Sequence, residues 1–219
     1  MRDDNYSVLK QASIFLLAIT VLVFSWVWPL ALYANQLFAI HMVQHLLSMN
    51  VAALLFASVL RRNEWLSFSL PLVATFQMVS LWMWHTPAVF IASHGNFQLD
   101  LLMKASLFAG ALLFWIAILD YRANSLWIRI FTLLITGKVF CLLGAVFVFT
   151  RRPLYPIHGD PGPWMSAIED QQLAGLVMVS ACALTYVAAA IALFVHWMFK
   201  VKKSAFNLIP DLSRETPHA

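Results

Sequence analysis

From Gln11 to Phe199 the chain alternates long apolar runs with short polar breaks. A bilayer crossing by an α-helix needs about 20 consecutive apolar residues. Six runs meet or approach that length: Gln11–Tyr33, Leu37–Leu60, Trp65–Trp84, Gln98–Leu119, Trp127–Phe149 and Gln171–Phe199. The pattern predicts an all-α, polytopic membrane bundle of about six transmembrane helices, forming one integral-membrane domain over residues 1–219. The first run exceeds the apolar core of a signal peptide, and Leu32-Tyr33-Ala34 lacks a small-x-small cleavage pattern, so it is expected to stay as an anchor. The stretch 151–172, RRPLYPIHGDPGPWMSAIEDQQ, is too rich in Pro and Gly to span. It reads as an ordered cap over one end of the helices, giving way to a helix near Asp170, where a carboxylate suits a helix N-terminus.

Composition agrees with the pattern. The chain is 62% hydrophobic and 11% charged, with mean hydropathy +0.78, whereas soluble domains carry about 25% charged residues. Cys141 and Cys182 sit inside apolar runs and read as small buried thiols. The net charge of +4 is no nucleic-acid signal, because the basic residues cluster at the ends of runs. Arg2, Lys10, Arg61, Arg62, Arg122, Arg129, Lys200, Lys202, Lys203 and Arg214 fall on one side. Only Arg151 and Arg152 fall on the other, with Lys104 and Lys138 left inside runs. The positive-inside rule puts both termini in the cytoplasm.

That orientation gathers unusual polar residues near the outer face. His41 and His45 are one helical turn apart, on one face of the second span and in its outer half. Met49 continues their stripe, and His85 arrives at similar depth from the end of the third span. Asp170, at the outer start of the sixth span, is placed to meet them as a ligand or as an acceptor that orients an imidazole. Imidazole suits copper, zinc, iron and nickel, and thioether favours cuprous copper. Intramembrane polar groups of this kind are functional candidates, with histidines merely hydrogen-bonded between helices as the alternative. His94, His158 and Tyr155 fall in outer loops, where the two histidines read as solvated. Lys104 lies one turn from Asp100 and needs a carboxylate partner, which Asp100 or Asp170 could supply; its charge would also repel a cation beside the histidines. Lys138 lies near the middle of the fifth span with no carboxylate at matching depth.

Four motifs then occur in a telling order: HMVQHLL in the second span, WHTPAVF after the third, LFAGALLFW in the fourth, and RRPLYPIHG with EDQQLAGLVM leading into the sixth. From about Gln36 to Met198 the chain resembles the CtaG-type cytochrome c oxidase assembly proteins. This group is named for the caa3 oxidase assembly factor and is distinct from the single-span copper chaperone that shares the CtaG name. The resemblance implies a non-enzymatic, multi-pass protein of the bacterial plasma (inner) membrane, needed to form active haem-copper oxidase by acting on its copper. It implies copper as the ion held, oxidase subunits and membrane lipid as partners, and a copper chaperone as a further candidate partner. The family's recurring residues fall on His41, His45, Trp84, His85, Pro87, Asp170 and Gln171. One departure stands out: many members have a histidine where this chain has Lys104.

Three other readings stay open. A divalent-metal transporter needs polar groups continuing toward the cytoplasm, and the inner half supplies few beyond Asn50, Thr185 and His196. A haem-binding electron carrier needs axial histidines from two helices, because His41 and His45 on one helix cannot bracket a haem. A metal-free scaffold for oxidase subunits needs neither.

Overall fold

The computed structural model describes the chain apart from residues 1, 28, 29, 35, 61–67, 121, 123, 156–164 and 213–219. The described residues are helical, with short connections and no strand. In chain order the helices are α1 (Arg2–Trp26), α2 (Leu30–Ala34), α3 (Phe38–Leu46), α4 (Ala53–Leu60), α5 (Leu70–Trp84), α6 (Pro87–His94), α7 (Phe97–Leu119), α8 (Leu126–Phe149), α9 (Ala167–Cys182) and α10 (Ala188–Leu212). A π-helical turn, Leu47–Ala52, joins α3 to α4, and another, Ala183–Val187, joins α9 to α10.

Among the described residues, five helical stretches are long and apolar enough to cross a bilayer: Val8–Ala34, Phe38–Leu60, Phe97–Leu119, Leu126–Phe149 and Ala167–Lys203. Five of the six expected runs match them closely. The third, expected from Trp65, is helical over the 15 residues Leu70–Trp84. That gives about 22 Å at 1.5 Å per residue, less than the hydrocarbon core of about 30 Å. The expected start of this run, with Arg61 and Arg62, lies outside the described residues.

Local chemistry sets the helix starts near the site. Asn96 caps α7 by accepting from the Gln98 and Leu99 amides at 2.8 and 3.4 Å. Ser166 and Glu169 form a reciprocal capping box on α9. Pro87, which has no N–H to leave unpaired, opens α6, and Gly95 follows its end.

The core is aromatic at mid-depth. Trp115 stacks on Tyr186 with ring centroids 5.6 Å apart, and Phe114 and Phe140 pack on the same Tyr186 ring. The Trp115 indole N–H donates to the Met49 carbonyl at 3.0 Å. Trp115 therefore ties together the two π-helical turns, one through a backbone carbonyl and one through a ring face. Such turns loosen the regular ladder and are frequent at functional sites. Helices α8 and α9 make the most extensive contact in the bundle, with Gly144 against Gly175, where a missing side chain lets two backbones touch.

Candidate functional site

The site grows from the first turn of α3. The first amides of a helix have no intrahelical acceptor, and here a side chain distant in sequence supplies one. Asp170 Oδ2 accepts from the Phe38 amide at 2.6 Å and Oδ1 from the Ala39 amide at 3.0 Å. Asp170 is fully buried. Both of its oxygens are therefore turned to the α3 backbone, and its place is that of a positioning residue for the helix that carries His41 and His45.

One turn further on, the two imidazoles meet directly. His41 Nε2 and His45 Nε2 lie 2.8 Å apart, one donating to the other. His85 follows the end of α5, with its ring centroid 6.0 Å from that of His45. Its Nδ1 lies 2.7 Å from the Leu81 carbonyl. A carbonyl only accepts, so Nδ1 carries the proton and Nε2 of the neutral ring presents a lone pair. All three histidines are buried. His94, at the end of α6, completes a file of four rings, with its centroid 5.2 Å from that of His41.

Below the file is a cavity of about 10 Å³, bordered by His45, His85, Asn50 and the methionines Met42, Met49 and Met178. A volume of that order holds one water or one small ion. His45 Nδ1, His85 Nε2 and both amide atoms of Asn50 are buried without a hydrogen-bond partner. Buried polar atoms are nearly always satisfied; these four belong to three residues that border one cavity, whose wall is otherwise almost wholly apolar. The donors, two imidazole nitrogens and a thioether, are soft to borderline and suit copper. Among the described residues, no three His, Cys, Asp or Glu side chains converge as a ready-made ligand set. A metal here is limited to two imidazoles supplemented by sulfur or amide.

The surroundings hold these groups still. The Tyr155 hydroxyl donates to the His85 carbonyl at 2.6 Å, and burial pushes its pKa up, which keeps the phenol a donor. Tyr155 also packs against Phe38 and Phe90. Gln171 accepts from the Leu154 amide at 2.7 Å and donates to the Phe147 carbonyl at 3.3 Å, pinning the 151–155 segment to α8 and α9. Lys104 pairs with Asp100 at 2.6 Å, both partly buried.

Of the residues singled out in the sequence, His41, His45, His85 and Met49 come together. Asp170 joins through the backbone of α3, and Lys104 with Asp100 forms a neighbouring pair. His94, read as a solvated loop residue, is instead part of the file. The signals for α6 were present, Pro87 to start the helix and Gly95 to stop it. Asn50 was noted only as an inner-half polar group. His158 lies outside the described residues.

Apolar helices of bilayer length around three buried histidines define a polytopic membrane protein with a polar centre between its helices. The family model of the cytochrome c oxidase caa3 assembly factor matches residues 1–200, and the chain belongs to that family. No curated protein and no solved structure shows a significant match to it.

Proposed function

We propose that this oxidase assembly factor acts without catalysis, by holding copper at the His45–His85 cavity and passing it to an oxidase subunit. The observation that carries the reading is the pair of buried, unpartnered nitrogens, His45 Nδ1 and His85 Nε2, on two residues that border one cavity together with Met49. The 6.0 Å between their ring centroids suits one ion between them, with metal–nitrogen bonds of about 2.0 Å. His41 and His94 extend the file and form the entry side. Thioether and imidazole together favour the cuprous state.

In this reading both termini are cytoplasmic, the membrane is the bacterial plasma membrane, and Leu70–Trp84 belongs to a sixth crossing. The basic-residue asymmetry supports the orientation. The file then opens toward the outer face, where a copper chaperone can load it. Lys104 does not bar the ion, because Asp100 answers its charge.

Purified wild-type protein, loaded with copper under reductant, is expected to retain about one copper per chain by elemental analysis. The variant carrying His41→Ala, His45→Ala and His85→Ala together is expected to retain none while keeping its helical circular dichroism. Equal copper in both proteins would overturn the assignment.

A metal transporter is the second reading, favoured by polar groups deeper in the bundle. Gln77 donates to the Tyr186 hydroxyl at 3.2 Å, and the Thr136 hydroxyl is buried without a partner. Copper flux into proteoliposomes would favour transport, and retention without flux favours assembly.

A further inference from the structure

Lys138 stands near the midpoint of the 24-residue helix α8, and its side chain is exposed. It shares its face with Phe131, Ile135, Leu142 and Val146, all exposed and apolar. Among the described residues none gives Lys138 a hydrogen bond or an ion pair. With a rise of about 1.5 Å per residue, each end of α8 is roughly 17 Å away. That is farther than a lysine stem can snorkel.

Rotation of α8 cannot hide the ammonium inside this bundle. The opposite face is fixed, with Gly137 against Tyr186, Gly144 against α9 and Phe140 buried in the core. Charged side chains inside the bilayer almost always face protein and pair with one another or with carbonyls. A lysine that faces outward from its own fold therefore faces another protein. The chain's own charges also restrict which one. The described carboxylates in the spans sit at helix ends: Asp100 in the first turn of α7, Asp120 just after α7, Glu169 and Asp170 in the first turn of α9. Among its described residues a second copy of this chain thus has no mid-depth carboxylate to offer, and a two-fold contact through this face would set Lys138 against Lys138. Anionic lipid headgroups lie at the membrane surface, out of reach.

We propose that the α8 face around Lys138 docks a transmembrane helix of a second integral membrane protein, which presents an Asp or Glu carboxylate at mid-bilayer. The apolar neighbours supply packing and the ion pair supplies register. This docking stands independently of copper binding at the histidines.

The test places a photo-crosslinking phenylalanine analogue at Leu142 of the full chain in its native membrane. A cross-linked protein with an Asp or Glu in the middle of a span is expected. Lys138→Glu should lower the adduct yield about tenfold or more, because like charges meet at the contact. Lys138→Arg should preserve the yield. Changing the partner's carboxylate to lysine should restore the adduct with Lys138→Glu. Adducts with lipid alone or with a second copy would overturn the proposal, as would a yield indifferent to Lys138→Glu or not restored by the charge exchange. Lys138→Leu is expected to leave the unfolding temperature of the purified protein unchanged or raised. A marked fall would make Lys138 a structural residue of its own fold and overturn the proposal as well.

Discussion

Asp170→Ala is expected to destabilise the folded protein by about 3 kcal/mol and to release copper from a site the carboxylate does not touch. Hydrogen bonds to a carboxylate contribute about 1.5–3 kcal/mol each, and removing the acceptor leaves buried donors unsatisfied. Two amides, Phe38 and Ala39, lose their partner at once, in a site closed to water. His41 is one turn along the same helix, so an unanchored first turn lets the His41–His45 pair drift from His85. Asp170→Asn keeps one acceptor oxygen and is expected to fall between the wild type and Asp170→Ala. Denaturant unfolding in detergent, with copper content measured on the same samples, checks both effects. Unchanged unfolding together with unchanged copper would remove the capping role.

Much of the architecture was legible because a bilayer imposes a length on apolar runs, and five of the runs have it. The third run, from Trp65, is helical over the 15 residues Leu70–Trp84, and its start at 65–67 lies outside the described residues. The His41–His45 contact and the Asp100–Lys104 pair followed from four-residue spacing on a helix, a local rule that tertiary structure left intact. The role of Asp170 was not legible, since its partners lie 132 and 131 residues away and are backbone amides, which no side-chain pattern announces. The π-helical turns escaped for a similar reason. What accompanies them is tertiary, a Trp115 indole on the Met49 carbonyl and a Trp115 ring on Tyr186. His94 sits between two spans, where the sequence presents a loop, yet it stands at the end of the short helix α6.

Gly175→Ala is expected to damage the same site through the contact of α9 with α8. A methyl group at residue 175 would lie 2.5 Å from the Gly144 carbonyl oxygen, 2.8 Å from Val148 Cγ2 and 3.0 Å from Phe147 Cβ. The nearest of these is backbone, so no rotamer change can relieve it. Overpacking costs about 1–3 kcal/mol where side chains can yield, and a backbone clash belongs at the upper end or above. Helices α8 and α9 must then separate, and in a membrane that gap is filled by lipid rather than closed by a hydrophobic drive. Helix α9 carries Asp170 in its first turn and Gln171 beside it, so the displacement withdraws the cap of α3 and the tie to Phe147 together. Gly175→Ala should therefore mimic Asp170→Ala in copper retention as well as in stability. At Gly144 the nearest contact for an added methyl is the Val179 side chain at 2.8 Å, with the Gly175 carbonyl at 3.0 Å. Gly144→Ala is accordingly expected to cost less. Unfolding and copper content of the two alanine variants, measured side by side, check the order. If Gly175→Ala were the milder of the two, the glycine contact would not be what holds Asp170 against α3.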